Sequence, residues 1–388
     1  MKRSPLQDRR GMILLSSLTL LTVLVVLGVA IRTMLQNDYR VLSNLRGSTE
    51  AFYVSVAGLE WAKNEIAEAV SFPPAPADQS KSFGAGAFAV SFISPGAVGP
   101  LSARVVVRSV GTIGPSSHVL QARLLKTYDL ADAAAALRGN PSPVRFGGDP
   151  IVISGLDHDP ATGSVLPKAP SRAAVSTFSD TQRQLFLDAL GDPPPAGLLE
   201  GGAGAPALSL SHRLSTALMT QLANGLCASA SAMVMTISES GSLNVQDQTW
   251  GSRDVPQVRC VQGLASSGDS LVLSGTISGA GILIVKDADL VLAGGFRWEG
   301  LVIISGDRVG LRVAGSSNKD ILGALLVNET GIHGSDSYLL DIQGNLRLLF
   351  SRQALSRAAN LVPREVLNEV YGGLPSIISQ EYWRAINP

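Results

Sequence analysis

The sharpest pattern in the chain is a run without a charged residue from Met12 to Ile31, bounded by Arg10 and Arg32. Twenty residues at 1.5 Å rise span about 30 Å, the thickness of a bilayer hydrocarbon core. Lys2, Arg3, Arg9 and Arg10 precede the run. By the positive-inside rule these stay on the cytoplasmic side and the remainder crosses. A cleaved secretory signal would carry a shorter apolar region and an Ala-x-Ala-like site. Here the run leads into Arg32-Thr33 without one. A plain signal anchor fits the same span. The helical pattern then continues. Val41, Leu45, Phe52, Val56, Leu59 and Ile66 recur at spacings of 3, 4 or 7, one stripe of a helix. The pattern predicts a single helix from about Met12 to about Ala69, stopped by Pro73-Pro74.

Beyond a Pro-rich linker at 73–80, three runs read as strands: Ala87–Ile93, Ala103–Val110 and His118–Leu125. The turn-like Gly111-Thr-Ile-Gly-Pro-Ser joins the last two into an antiparallel meander, with Arg104, Arg108 and Arg123 toward solvent. Further on, apolar runs follow Gly281, Gly300 and Gly323, and a second series begins at Asp269, Asp289 and Asp307. A period near twenty with two short strands per period predicts a β-solenoid. Its runs Ile282–Val285 and Leu301–Ile304 are apolar at every position, which predicts cover on both faces. The candidate covering helices are Thr181–Leu190 with Asp180 as cap, His212–Asn224 stopped by Gly225, and Ala354–Val370 interrupted by Pro363.

Composition narrows the function. Net charge is zero, so no basic footprint predicts a nucleic-acid partner. Gly (40) and Pro (21) are abundant, which suits many turns and short strands rather than a helical bundle. Cys227 and Cys260 form no CxxC pair, so no zinc site is expected. Beyond a membrane they can be bridged, or they are two buried thiols; the sequence leaves both open. No GxSxG, HExxH or P-loop is present. Asp157-His158-Asp159 carries two carboxylates and an imidazole, a donor set a cation could use. Alternate residues of an extended loop diverge, however, so no metal and no cofactor is expected.

The junction Arg9-Arg10-Gly11-Met12 resembles a class III prepilin leader, for which cleavage after Gly11 and methylation of Met12 by a prepilin peptidase are implied. The stretch Ala51-Phe-Tyr-Val-Ser-Val-Ala-Gly-Leu-Glu-Trp-Ala62 resembles the A-F-x-x-A-x-A-G-L-E-x-A pattern of PilX-type minor pilins, with Ser55 the one departure. Thr249-Trp-Gly-Ser, Phe296-Arg-Trp-Glu-Gly-Leu-Val-Ile and Tyr382-Trp-Arg resemble later segments of that family. Major pilins carry Glu at the fifth mature position; here that position is Ser16, and no acid precedes Asp38. The resemblance therefore implies a low-copy, tip-proximal subunit.

These readings together predict an α+β protein. A leader (1–11) precedes a pilin-like helix (12–72, transmembrane over 12–31) and a pilin-like antiparallel β-meander (73–130). A mainly-β, solenoid-like domain with flanking helices (131–360) and a C-terminal tail (361–388) complete the chain. The expected role is non-enzymatic, in assembly, tip formation or surface attachment of a type IV pilus or type II secretion pseudopilus. Inner membrane, other pilin subunits and prepilin peptidase are the expected partners, with the C-terminal domain periplasmic. The rival reading is a membrane-anchored periplasmic β-helix protein acting on or binding carbohydrate.

Overall fold

The computed structural model describes residues 6–69, 74, 76–99, 102–127, 129–148, 150–167, 169, 171–191, 195, 197–201, 207–237, 241–264, 268–331, 338–371 and 377–386. The chain is α+β: one long apolar helix at the start, then a large sheet-rich region. Helix α1 runs unbroken over Leu6–Glu68, roughly 95 Å of helix. It is long and apolar enough to cross a membrane. In its first half the large apolar side chains, from Met12 (69% exposed) to Leu45 (60%), touch little of the protein.

From Ala51 onward α1 packs on an antiparallel sheet. Ala51, Ser55, Ala62 and Ile66 are fully buried on that side. Small residues there allow close approach. A Cβ at Gly58 would sit 2.3 Å from Ser109 Oγ and 3.0 Å from Phe88. The backbone carbonyl of Ser55 accepts a 2.8 Å hydrogen bond from Ser109 Oγ, and its own hydroxyl donates to Phe52 O within the helix. The sheet runs in the order 79–83, 86–99, 102–113, 116–127, 377–386. Alternate residues Val105, Val107, Ala122 and Leu124 meet Val54, Leu59 and Ile66 in a small core. Arg104 and Arg123 lie on the other face and reach Glu381.

Two strands of this sheet depart from the sequence reading. Gln79–Phe83, placed partly in the linker, is an edge strand exposed throughout, so it has no apolar alternation to read. The segment 361–388, read as a tail, holds helix Arg364–Tyr371 and the strand Ile377–Ile386. That strand pairs with 116–127, matching Ile377 to Thr127 and Ile386 to Val119. The residues between, 128–376, are thus inserted between two neighbouring strands.

Lys126 closes the packed end of α1. It is fully buried, and Nζ donates to the carbonyls of Ile66 (2.8 Å), Ala67 (3.3 Å) and Ala69 (2.7 Å). These are orphan acceptors at the negative end of the helix dipole. Burial pushes the ammonium down to about 8 from its ordinary 10.5. A lysine depressed in the folded state binds its proton more weakly there than when unfolded, so folding gains stability as pH rises from about 8 toward 10.5. We expect the wild-type unfolding free energy to rise over that window relative to Lys126→Met, by about 1 to 3 kcal/mol. Denaturant melts of both proteins in detergent at pH 7.5 and 10 would check this; identical pH profiles would contradict it.

The inserted region is built on two parallel sheets that the chain visits alternately. The long sheet runs in the order 208–210, 173–177, 133–139, 319–329, 295–306, 276–286, 257–262, 232–236. The short one runs 242–246, 270–274, 289–292, 311–313, 340–342, 144–146. Short-sheet residues Leu271, Leu273, Leu290, Leu292, Leu311 and Val313 point inward and are at most 1% exposed. The repeats seen in the sequence from Asp269 to Val327 form the middle of this stack. Additional rungs lie at both ends. One comes from 232–246. The other comes from 133–177, far earlier in the chain, which adds onto 319–329 in parallel register (Ala135 opposite Leu325).

The outer face of the long sheet is covered, as the all-apolar runs require. Helix α2 spans Asp180–Leu190, α3 Thr216–Cys227, α4 Arg352–Ala359 and α5 Arg364–Tyr371. α3 and α4 lie on the central strands and α5 packs on α3. α2 instead packs against 144–146, 173–177 and 208–210 at one end. Its N-cap is Ser179, whose side chain accepts from Gln182 N, rather than Asp180. Gly225 does not stop α3 but lies inside it, where a Cβ would come within 2.7 Å of Val366 on α5.

Candidate functional site

The candidate assembly surface is the exposed half of α1. Gly11 lies within the helix and Met12 begins its apolar run. Ser16 Oγ donates to Met12 O at 2.8 Å, and Thr19 Oγ1 donates to Leu15 and Ser16 carbonyls at 3.0 and 2.9 Å. Ser17 and Thr22 bond back to Leu14 and Thr19 in the same manner. Every hydroxyl donor of this stretch is thus satisfied inside the helix, so it can lie in lipid without an unpaired donor. At Ser16 there is no carboxylate to hold a neighbouring chain's amine. The surface offers apolar contact alone from Met12 to Ile31. Beyond it, Leu35, Tyr39, Leu42 and Leu45 extend the exposed apolar face along the helix.

The three residues weighed as cation ligands are each engaged locally. Asp157 Oδ1 accepts from Arg352 N (2.8 Å), at the first turn of α4. His158 is buried, with Nδ1 2.7 Å from Leu156 O, and its own carbonyl accepts from Ser351 Oγ. Asp159 Oδ1 accepts from Ala161 N at 2.7 Å and closes the 159–164 turn. Among the described residues, no three His, Cys, Asp or Glu side chains come together as a metal-holding group. The segment is a clamp: it ties α4 to the turn beside strand 346–350.

Cys227 and Cys260 are joined by a disulfide, with Cα atoms 5.5 Å apart. It pins the last residue of α3 to strand 257–262. The bond holds the end of the helix on the sheet, one strand in from the terminal strand 232–236.

Sequence reasoning missed a buried charged network. Arg138 is 2% exposed. Its Nη2 donates to both oxygens of Asp132 (3.1 and 2.9 Å), Nη1 to the Leu137 and Ser176 carbonyls, and Nε to Leu214 O at 2.8 Å. Ser176 Oγ donates to Asp132 Oδ1 at 2.8 Å, and Ser211 Oγ donates to Oδ2. Burial pushes the guanidinium below its ordinary value while Asp132 acts in the other direction. The partners come from three separate stretches of chain, 132–138, Ser176 and 211–214. The network's only hint in the sequence is the pair of charges, Asp132 and Arg138, that flank the apolar Ala133–Leu137 run. Glu329, also fully buried, accepts from the amides of Arg308, Val309 and Gly331 and fixes the corner after strand 295–306.

No known family model matches the sequence, and no curated protein does. Among solved structures, the chain is similar to the competence-associated pilin ComZ from Thermus thermophilus. The similarity covers 88% of this chain and 97% of that one, at 14% identity and a TM-score of 0.27.

Proposed function

We propose that this chain is a low-copy, PilX-type minor-pilin-like subunit of a type IV pilus or a type II secretion pseudopilus. The observation that carries the reading is the division of α1. One half is apolar and uncovered, and the other half is locked into an antiparallel sheet. In this reading the leader is cut after Gly11 by a prepilin peptidase and Met12 is methylated. The uncovered half then moves from the inner membrane into the filament. The stacked sheets form a non-enzymatic β-solenoid head, exported to the periplasmic side, that primes assembly, caps the tip or attaches to a surface. Ser16 supports few copies, because a subunit without a carboxylate there cannot pair with the N-terminal amine of a subunit above it.

Intact mass and N-terminal sequence, from membranes with and without active prepilin peptidase, test the proposal. The expected product begins at methylated Met12 only when the peptidase is active. A chain beginning at Met1 in both samples would rule out the pilin-class reading.

A further inference from the structure

Cys227 and Cys260 stand 33 residues apart, and the loop between them holds the outermost rung of the stack. Its strands 232–236 and 242–246 pair with 257–262 and 270–274. This rung is thinly buried. Met233 is 44% exposed and Val234 51%, whereas Val258, Val261, Leu271 and Leu273 of the next rung are at most 1% exposed. Both borders of the segment are fastened independently of it. α3 is held by α5, where a Cβ on Gly225 would come within 2.7 Å of Val366. At the far border Asp247 Oδ1 accepts from Thr276 N at 2.8 Å, and the buried Trp250 pairs beside strand 276–286. Between these anchors the disulfide is the covalent tie from the start of the segment to the next rung.

The two sulfurs differ in reach. Cys260 is fully buried, while Cys227, the last residue of α3, is half-buried. We propose that the disulfide is a redox latch on the outer rung, opened by a dithiol reductant that attacks Cys227. One thiolate of the reductant bonds to Cys227 Sγ, the bond to Cys260 breaks, and its electron pair leaves on Cys260 Sγ. The reductant's second thiolate then displaces Cys227. The reductant ends as a disulfide, and its two thiol protons end on the two cysteines. Attack from the other side would have to pass through the core that encloses Cys260. A cross-link limits the chain entropy that a segment gains on opening, and the limit tightens with loop length. With the tie cut, two five-residue ladders at the end of the stack bear the segment. It opens locally over 228–246, while α3, Trp250 and the inner rungs stay in place. Opening bares the edges of strands 257–262 and 270–274, so the end of the head changes its surface with the thiol–disulfide state of its surroundings.

The test is amide hydrogen exchange on the full chain in detergent, oxidised and after dithiothreitol. Reduction is expected to speed exchange in 232–236 and 242–246 about tenfold or more, leave 282–285 and 301–304 unchanged, and reverse on reoxidation. The double variant Cys227→Ser, Cys260→Ala should show the fast pattern with or without the reductant. Brief exposure to glutathione, quenched in acid and mapped by peptide mass, should place the glutathionyl group on Cys227 and a thiol at Cys260. Three results would each overturn the proposal. Unchanged exchange in the outer rung, with both thiols verified by mass, would mean that packing alone holds it. Equal acceleration at 282–285 would make the bond a clamp on the whole stack. A glutathionyl group on Cys260 would reverse the direction of attack.

Discussion

Gly300→Ala is expected to unfold the stacked region or cost it about 4 kcal/mol or more, among the largest effects of any single methyl group. Gly281, Gly300 and Gly323 stand opposite one another on three successive long-sheet strands. All three have positive φ, 119°, 138° and 148°, where a side chain is strained. A Cβ at Gly300 would lie 2.1 Å from Gly281 O, and one at Gly323 would lie 1.9 Å from Gly300 O. Both obstacles are backbone in the middle of a ladder, so neither can yield without separating the strands. The fully buried Trp298 sits on the same strand and donates from Nε1 to Gly281 O, so the disturbance reaches the centre of the core. Chemical denaturation followed by tryptophan fluorescence would measure the loss. Gly295→Ala is the control, since the nearest atom to its Cβ is 3.7 Å away. Equal midpoints for the two variants would refute the steric argument.

The second large effect is expected at Arg138. Arg138→Met keeps the aliphatic bulk but leaves Asp132 with its charge and without its bidentate partner, largely away from water. Removing one member of such a pair costs about 3–5 kcal/mol, most of it the unpaired charge. Asp132→Asn with Arg138→Met removes both charges and should recover a large part of that loss, which a double-mutant cycle in urea would show. A double variant no better than Arg138→Met alone would mean that the guanidinium acts by filling space and bonding carbonyls, not by neutralising Asp132. The network joins strands 133–139 and 173–177 with the stretches at Ser211 and Leu214, so the lost stability should appear first at that end of the stack.

What the sequence disclosed follows from where the physics is local. The membrane-length run, the stripe down α1 and the alternating strands 103–110 and 118–125 are legible because neighbouring residues share one environment. The glycine-led repeats are legible because stacked rungs must place Gly at the same corner each time. Strand 377–386 was not legible, since its described side chains are largely exposed and it has no alternation to display. Nor was the place of 133–139, whose neighbour is chosen by residues nearly two hundred positions later. Charge pairs help to fix that choice: Arg145 grips Asp341, and Arg347 grips Asp320, each with two hydrogen bonds across rungs. A single sequence shows the charges but not which of them face each other.

The insertion of 128–376 between adjacent strands carries a consequence for the order of folding. Synthesis delivers the chain from its N-terminus. Strands 86–99, 102–113 and 116–127 can settle on α1 early, because they need only near neighbours. Strand 133–139 comes next but has no central partner until 319–329 has been made. Strand 116–127 keeps an open edge until the final residues arrive, since 377–386 is its outer neighbour. Late, distant pairings are slow to form. A ribosome halted before Ile377 therefore leaves strand 116–127 with a bare, sticky rim although the inserted sheets have all their strands, and a chain shortened by its last dozen residues should aggregate out of proportion to what it has lost.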